Sequence, residues 1–323
     1  MTFLDSARTG EAPRESLEQR GEGQVMRVGV IGLGKMGKPM TQNLLKEGFM
    51  VIVHNRSRGP VDELTREGAI AAWSPVEVAQ QADLVITSLP TPASVEEVYL
   101  GEQGLIGAGR PGQVLVDTST VSPGLSRRLY AAAKARGIGF LDAPVSGGPA
   151  GAQTATLTIM VGGDAEIVEQ AMPVFRALGK NIHHVGPSGV GSVVKLVNQL
   201  LVAINMAGVA EAIVFGVKAG ADPHVLLDVI KTSFGGSRML ERALPLVMAR
   251  QFQPGTPVQL ILKDLGLIHE VGKELDTRLL LGALAQEVFK EARAAGLGDE
   301  DMVALFKPVE RLAGVEVRGA SAA

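Results

Sequence analysis

The chain has 323 residues, 46% of them hydrophobic and 20% charged, with a formal net charge of −3. That balance suits a folded chain large enough for two domains, and it lacks the concentrated positive charge that a nucleic-acid partner requires. Cysteine is absent, which excludes disulfide scaffolds, thiolate metal sites and cysteine nucleophiles.

Residues 1–25 are polar and carry Asp5, Glu11, Glu15, Glu18 and Glu22 among three arginines. A secretory signal needs an apolar stretch and a transit peptide is poor in acids. This segment is therefore expected to be a disordered or non-native tail, with Met26 as the natural start and a cytoplasmic location. From Met26 onward, short β-branched runs alternate with helical patterns. The runs occupy 27–31, 50–54, 84–88, 114–117, 140–142 and 156–161, with amphipathic segments such as 38–47 and 61–67 between them and a further helix at 165–178. Such alternation predicts parallel βαβ units with right-handed crossovers, hence an α/β fold built on a doubly wound, Rossmann-type parallel sheet.

After Gly191 the pattern becomes helical throughout, over 192–219, 223–231, 259–275 and 279–295. The boundary is expected in the turn-rich stretch 184–191, and the adjacent His183 and His184 are read as part of a turn. This divides the chain into a nucleotide-binding domain at 26–187, an all-helical substrate and oligomerisation domain at 188–318, and a short tail at 319–323. The most apolar segment, 196–217, is interrupted by Asn198, Gln199, Asn205 and Glu211, and so reads as a buried helix rather than a membrane span. Its apolar character exceeds what one small domain covers easily, which predicts a homodimer or homotetramer.

The first strand runs directly into Gly32-Leu33-Gly34-Lys35-Met36-Gly37 and then a helix. In that context the glycines serve a tight turn, close backbone approach to a pyrophosphate, and close helix–sheet packing, while the helix N-terminus supplies N–H groups for phosphates. A carboxylate at the end of the second strand would favour NAD(H). Here the chain has Asn55-Arg56-Ser57, whose neutral amide, guanidinium and hydroxyl favour NADP(H), with NAD(H) the alternative. Leu89-Pro90, after the strand at 84–88, falls at the carboxyl end of the sheet, where ligands sit.

Polar groups recur at the same end of the sheet. Asp117-Thr118-Ser119-Thr120 ends one strand, and Asp142-Ala143-Pro144-Val145-Ser146-Gly147-Gly148 ends another with a turn able to present N–H groups to a carboxylate. The long helix then carries Lys195 and Asn198 on one face. A lysine in the first turns of a helix otherwise suited to burial is a candidate proton-transfer group, and burial should lower its pKa. Lys263-Asp264, at the start of another apolar helix, reads by itself as a surface ion pair. The five histidines lack metal-ligand spacing, so no metal is expected.

These motifs, in this order and over 26–317, resemble the β-hydroxyacid dehydrogenase family, which includes 3-hydroxyisobutyrate dehydrogenases, glyoxylate/succinic semialdehyde reductases and tartronate semialdehyde reductases. The stretches 32–47, 235–240, 252–255 and 311–317 are most similar to the tartronate semialdehyde (2-hydroxy-3-oxopropionate) reductase branch. The resemblance implies a 6-phosphogluconate dehydrogenase-like fold and NAD(P)-dependent hydride transfer between nicotinamide and a small β-hydroxy acid or semialdehyde. Lys195 would be the general acid in reduction and the base in oxidation, with Asn198 orienting the substrate. Ser146, Gly147 and Gly148 would hold the substrate carboxylate, Ser119 and Thr120 would lie between nicotinamide and substrate, and Lys263 with Asp264 would reach the cofactor. Residues around Ser237 would read the substrate's tail. Asn55 departs from NAD-preferring members, which carry an acid there. Within the family, 3-hydroxyisobutyrate, L-threonate and succinic semialdehyde/glyoxylate chemistries are the alternatives. Outside it stands a non-catalytic dinucleotide sensor, which would need neither Lys195 nor the Ser146–Gly148 turn.

Overall fold

The computed structural model describes residues 26–253 and 255–319, so the expectations for 1–25 and 320–323 fall outside the described residues. β1 (Arg27–Ile31) lies inside the sheet, paired in parallel with β2 (Met50–His54) on one side and β4 (Leu84–Thr87) on the other. β3 (Ile70–Ala71) continues outward from β2, and β5 (Val114–Asp117) and β6 (Gly139–Asp142) continue from β4. The parallel order is 3-2-1-4-5-6, that of a Rossmann sheet.

Alternation along these strands divides two cores. Val51, Val53, Val114 and Val116 pack on one face against Met40 and Leu44 of α1 (Gly37–Lys46) and Leu64 of α2 (Gly59–Arg66). Ile52, Leu115 and Phe140 pack on the other against α3 (Pro75–Gln81), α4 (Pro92–Leu100), α5 (Leu105–Ala108) and α6 (Pro123–Lys134). Three of these helices begin the same way. Ser74, Thr91 and Ser122 cap α3, α4 and α6 with their hydroxyls, and a proline follows at the first helical position, where its missing N–H costs nothing.

Beyond β6 the sheet changes direction. β7 (Val145–Ser146) and the short α7 (Gly148–Gln153) lead into β8 (Leu157–Gly162), which runs antiparallel to both β6 and β7. After α8 (Ala165–Leu178), β9 (Gly179–Gly186) pairs in parallel with β8. The turn expected at His183 and His184 is therefore corrected: both lie in β9. Half of β9 is solvent-exposed and only Gly179 is buried, so its sequence lacks the apolar alternation of a half-buried strand, and His184 Nε2 donates to Gly163 O at 2.9 Å.

The remaining chain is helical: α9 (Val190–Lys218), α10 (Pro223–Ile230), α11 (Arg238–Met248), α12 (Val258–Glu274), α13 (Leu280–Ala292) and α14 (Phe306–Ala313). The helix expected through residue 295 gives way after Ala292 to a wider turn in which Gly296 takes a φ of 83°. Met206, Ala210 and Ile213 of α9 form a third core with Leu244, Ile261, Phe289 and Phe306. α9 is less buried than expected. Its most apolar 18-residue window has a mean hydropathy of 2.1 yet is only 33% buried, and Val193, Val197, Leu201 and Phe215 are exposed.

Candidate active site

The carboxyl ends of β1, β2, β4 and β5 open onto a cleft of about 2240 Å³, closed on its far side by α9, α11 and α12. Each residue reaches it for a local reason. Gly32 turns the chain out of β1 with a φ of +92°, and its N–H is taken by His54 O at 3.1 Å. A Cβ on Gly37 would lie 1.8 Å from Gly32 O, so the start of α1 lies against the loop as only glycine allows. Gly34 faces open space, and α1 has neither a side-chain cap at Met36 nor an acid in its first turn. An uncapped ten-residue helix facing a cleft through a glycine suits a pyrophosphate, so the loop fits a dinucleotide.

Asn55 connects two loops. Its Oδ1 accepts from Leu33 N at 3.0 Å, while its Nδ2 donates to Ser57 Oγ at 2.8 Å and Ser57 O at 3.1 Å. Lys35, Arg56 and Ser57 are exposed on the cleft wall, and no carboxylate stands at the end of β2.

At the end of β5, the buried Asp117 Oδ1 accepts from Thr87 Oγ1 at 2.7 Å and from Ser119 Oγ at 2.6 Å. Burial pushes the Asp117 carboxyl above its ordinary value, an effect these hydrogen bonds oppose. Ser119 Oγ in turn accepts from Leu89 N at 2.9 Å, so its one proton serves Asp117 and its lone pair fixes the Leu89-Pro90 loop. Thr120 presents its carbonyl to Lys263 Nζ at 3.2 Å.

The Asp142 carboxylate holds the N-terminus of α9, accepting from Gly189 N at 2.7 Å and Ser192 N at 2.9 Å. Burial nevertheless raises its pKa to about 6. After this anchor, Ser146, Gly147 and Gly148 turn into α7 along the cleft, the two glycines with φ of 132° and 60°.

Lys195 is 8% exposed. Its ammonium donates to Val145 O at 2.9 Å and to Gln199 Oε1 at 3.0 Å. Burial lowers its pKa to about 8, as the sequence suggested; the carboxylate of Asp264 opposes that shift and the charge of Lys263 adds to it. Gln199 Oε1 also accepts from Asn198 Nδ2 at 3.0 Å, and Gln199 Nε2 donates to Asp264 Oδ2 at 2.6 Å.

The cleft gathers the residues given a catalytic or binding role in the sequence except two: Leu33 and Gly37 are buried beside it. Ser237 lines it too, with its hydroxyl accepting from Leu240 N at 3.1 Å as the cap of α11. Asp264 is not the surface ion pair that its sequence context suggested. It is 2% exposed, with Lys263 Nζ 3.1 Å from its Oδ1. Sequence reading missed Gln199, although its spacing of four from Lys195 places it on the same helix face. It also missed Arg242, which lines the cleft while its guanidinium grips the buried Asp301 at 3.0 and 2.6 Å.

Two family models match successive parts of the chain. Residues 27–186 match the NAD-binding domain of 6-phosphogluconate dehydrogenase, and residues 189–309 match the NAD-binding domain of NADP-dependent 3-hydroxyisobutyrate dehydrogenase. The chain is 43% identical to 2-(hydroxymethyl)glutarate dehydrogenase of Eubacterium barkeri, over 91% of this chain and 98% of that one. It is 40% identical to 2-hydroxy-3-oxopropionate reductase of Escherichia coli, over 89% and 98%. The solved structure of 3-hydroxyisobutyrate dehydrogenase of Mycobacterium tuberculosis with L-serine superposes with a TM-score of 0.82 at 32% identity, covering 88% of this chain and 99% of that one. The chain belongs to the β-hydroxyacid dehydrogenase family, whose members are NAD(P)-dependent oxidoreductases acting on hydroxy groups.

Proposed function

We propose that this protein reduces a small semialdehyde to the corresponding β-hydroxy acid, with 2-hydroxy-3-oxopropionate to glycerate as the leading reaction and NADPH as the favoured reductant. The observation that carries this reading is Lys195: a buried ammonium with a pKa near 8, on the same cleft as the glycine loop and the Ser146–Gly148 turn. A bound nicotinamide would supply the hydride. Gly32 to Gly37 would hold its pyrophosphate, with Leu89, Pro90, Thr120 and Lys263 along the rest of the cofactor.

Ser146 and the N–H groups of Gly147 and Gly148 would bind the substrate carboxylate, which sets the aldehyde carbon against the cofactor. Lys195 carries three protons. Val145 O and Gln199 Oε1 take two, and the third is left to meet the developing alkoxide, to which it transfers. Until transfer, the ammonium charge stabilises that oxygen. Asn198, joined to the same Gln199 oxygen, would orient the substrate.

The preference for NADPH rests on Asn55-Arg56-Ser57, where a guanidinium and a hydroxyl lie on the cleft wall and a carboxylate that would repel a 2′-phosphate is missing. We also assign the domain boundary to residues 187 and 188, between β9 and α9, and the cytoplasm as the location. A homodimer or homotetramer would cover the apolar stripe of Val193, Val197 and Leu201 on α9 and Leu280, Leu281 and Leu284 on α13; a monomer in solution scattering would contradict that assembly. The enzymatic reading is tested by assaying a panel of semialdehydes and hydroxy acids with NADH and NADPH in parallel. The highest kcat/KM is expected for 2-hydroxy-3-oxopropionate with NADPH.

A further inference from the structure

Asp264, on α12, is almost fully buried, and its Oδ2 lies 2.6 Å from Gln199 Nε2. A carboxylate accepts hydrogen bonds and donates none, so it fixes which way round the Gln199 amide lies: nitrogen towards α12, oxygen towards Lys195. That oxygen takes protons from Lys195 Nζ and Asn198 Nδ2, each at 3.0 Å. Turned the other way, the amide would set N–H against ammonium, and the site would lose its acceptor. The other Asp264 oxygen, Oδ1, is buried without a hydrogen-bond partner, with Lys263 Nζ beside it at 3.1 Å.

We propose that Asp264 is a positioning residue for the proton donor, acting through Gln199 to aim Lys195 at the substrate and to keep it cationic. This rests on the reading of Lys195 as the proton donor, and it separates Asp264 from the cofactor contact that the family resemblance implies. The charged groups acting on Lys195 are both on α12: Asp264 favours the ammonium and Lys263 disfavours it. On the sheet side Lys195 meets the Val145 carbonyl, and Asp142, at the start of the same helix, is engaged by Gly189 and Ser192.

The test follows the titration of Lys195 in the free enzyme by lysine 13Cε NMR, with Lys195→Ala identifying the resonance, beside the pH profile of aldehyde reduction. Asp264→Asn retains an acceptor for Gln199 but removes the charge. It should move the Lys195 titration to lower pH by roughly one unit, and shift the alkaline limb of reduction the same way. Gln199→Leu leaves Asp264 in place but deprives the ammonium of an acceptor. It too should lower the titration, and it should cut kcat roughly tenfold to a hundredfold with a smaller change in KM. Circular dichroism and NADPH fluorescence titration report whether each variant is folded, and Gln199→Leu decides the matter if Asp264→Asn is not. A Lys195 titration left at its wild-type position in a folded variant overturns the proposal. Turnover retained by Lys195→Ala would instead overturn the proton-donor reading, while the NMR titration of Asp264→Asn would still show whether Asp264 acts on Lys195.

Discussion

Asn55 Oδ1 accepts the backbone N–H of Leu33 at 3.0 Å, so the residue that follows β2 also fixes the loop that leaves β1. The amide nitrogen then holds Ser57, leaving Arg56 to face the cleft without an acidic neighbour on that turn. An Asn55→Asp chain would keep the acceptor for Leu33 but lose the donor to Ser57 and place a negative charge beside Arg56. The ratio of kcat/KM for NADPH over NADH should fall by roughly tenfold or more, the scale of a lost charge-assisted hydrogen bond. An unchanged ratio would remove the basis for preferring NADPH.

Lys195→Ala removes the proton donor while leaving the glycine loop intact. Turnover should drop roughly 10²- to 10⁴-fold, with NADPH binding by fluorescence close to wild type. The wild-type pH dependence follows from a lysine pKa of about 8. Reduction uses the protonated form, so its kcat/KM should decline as pH rises through that value. Oxidation of the hydroxy acid uses the neutral form and should decline as pH falls through it.

Gly37→Ala places a methyl group 1.8 Å from the carbonyl oxygen of Gly32, where backbone rather than a flexible side chain must yield. The loop and the start of α1 should move apart together. Differential scanning calorimetry should show a lower Tm for the cofactor-free protein, and NADPH affinity should fall with it. Retention of both would mean that the helix can shift without cost.

Asp142 makes an unusual contribution to stability as a function of pH. Its carboxyl titrates near pH 6 in the folded protein, raised by burial from an ordinary value near 3.8. Between those values the folded state binds more protons than the unfolded state, so this group's contribution is fully present below about pH 3.8 and is lost as pH rises through about 6. In urea denaturation between pH 4 and pH 7, Asp142→Asn should flatten that component of the stability profile; an identical slope in both proteins would contradict it.

Much of the sheet was legible because its strands are buried on both faces and read as β-branched runs between glycine and proline signals, as at β1, β2 and β5. The glycine loop was legible for a local reason, namely strand, turn and helix in succession. β9 was not, because its partner β8 lies more than twenty residues upstream and half of its residues are solvent-exposed. α11 was hidden by Pro245 within it, although Met239, Leu240, Ala243, Leu244 and Val247 form a clear buried stripe. At the site, Lys195 stood out as a cation within an apolar helix. Gln199 did not, since a glutamine at that position is informative only once Asp264 has been brought against it from α12, 65 residues away in sequence.

The anchoring of α9 by Asp142 also sets a lever. Lys195 lies six residues beyond Gly189, roughly 9 Å along the axis at 1.5 Å per residue, whereas Lys218 at the far end is roughly 43 Å away. For a given rotation about the Asp142 fulcrum, Lys195 travels about a fifth as far as the distal end of the shaft. The lysine and the Ser146–Gly148 turn, both tied to the fulcrum side through Val145, keep their separation nearly fixed. The proton donor therefore sits at the anchored end of the helix, where its position depends least on how the distal turns pack.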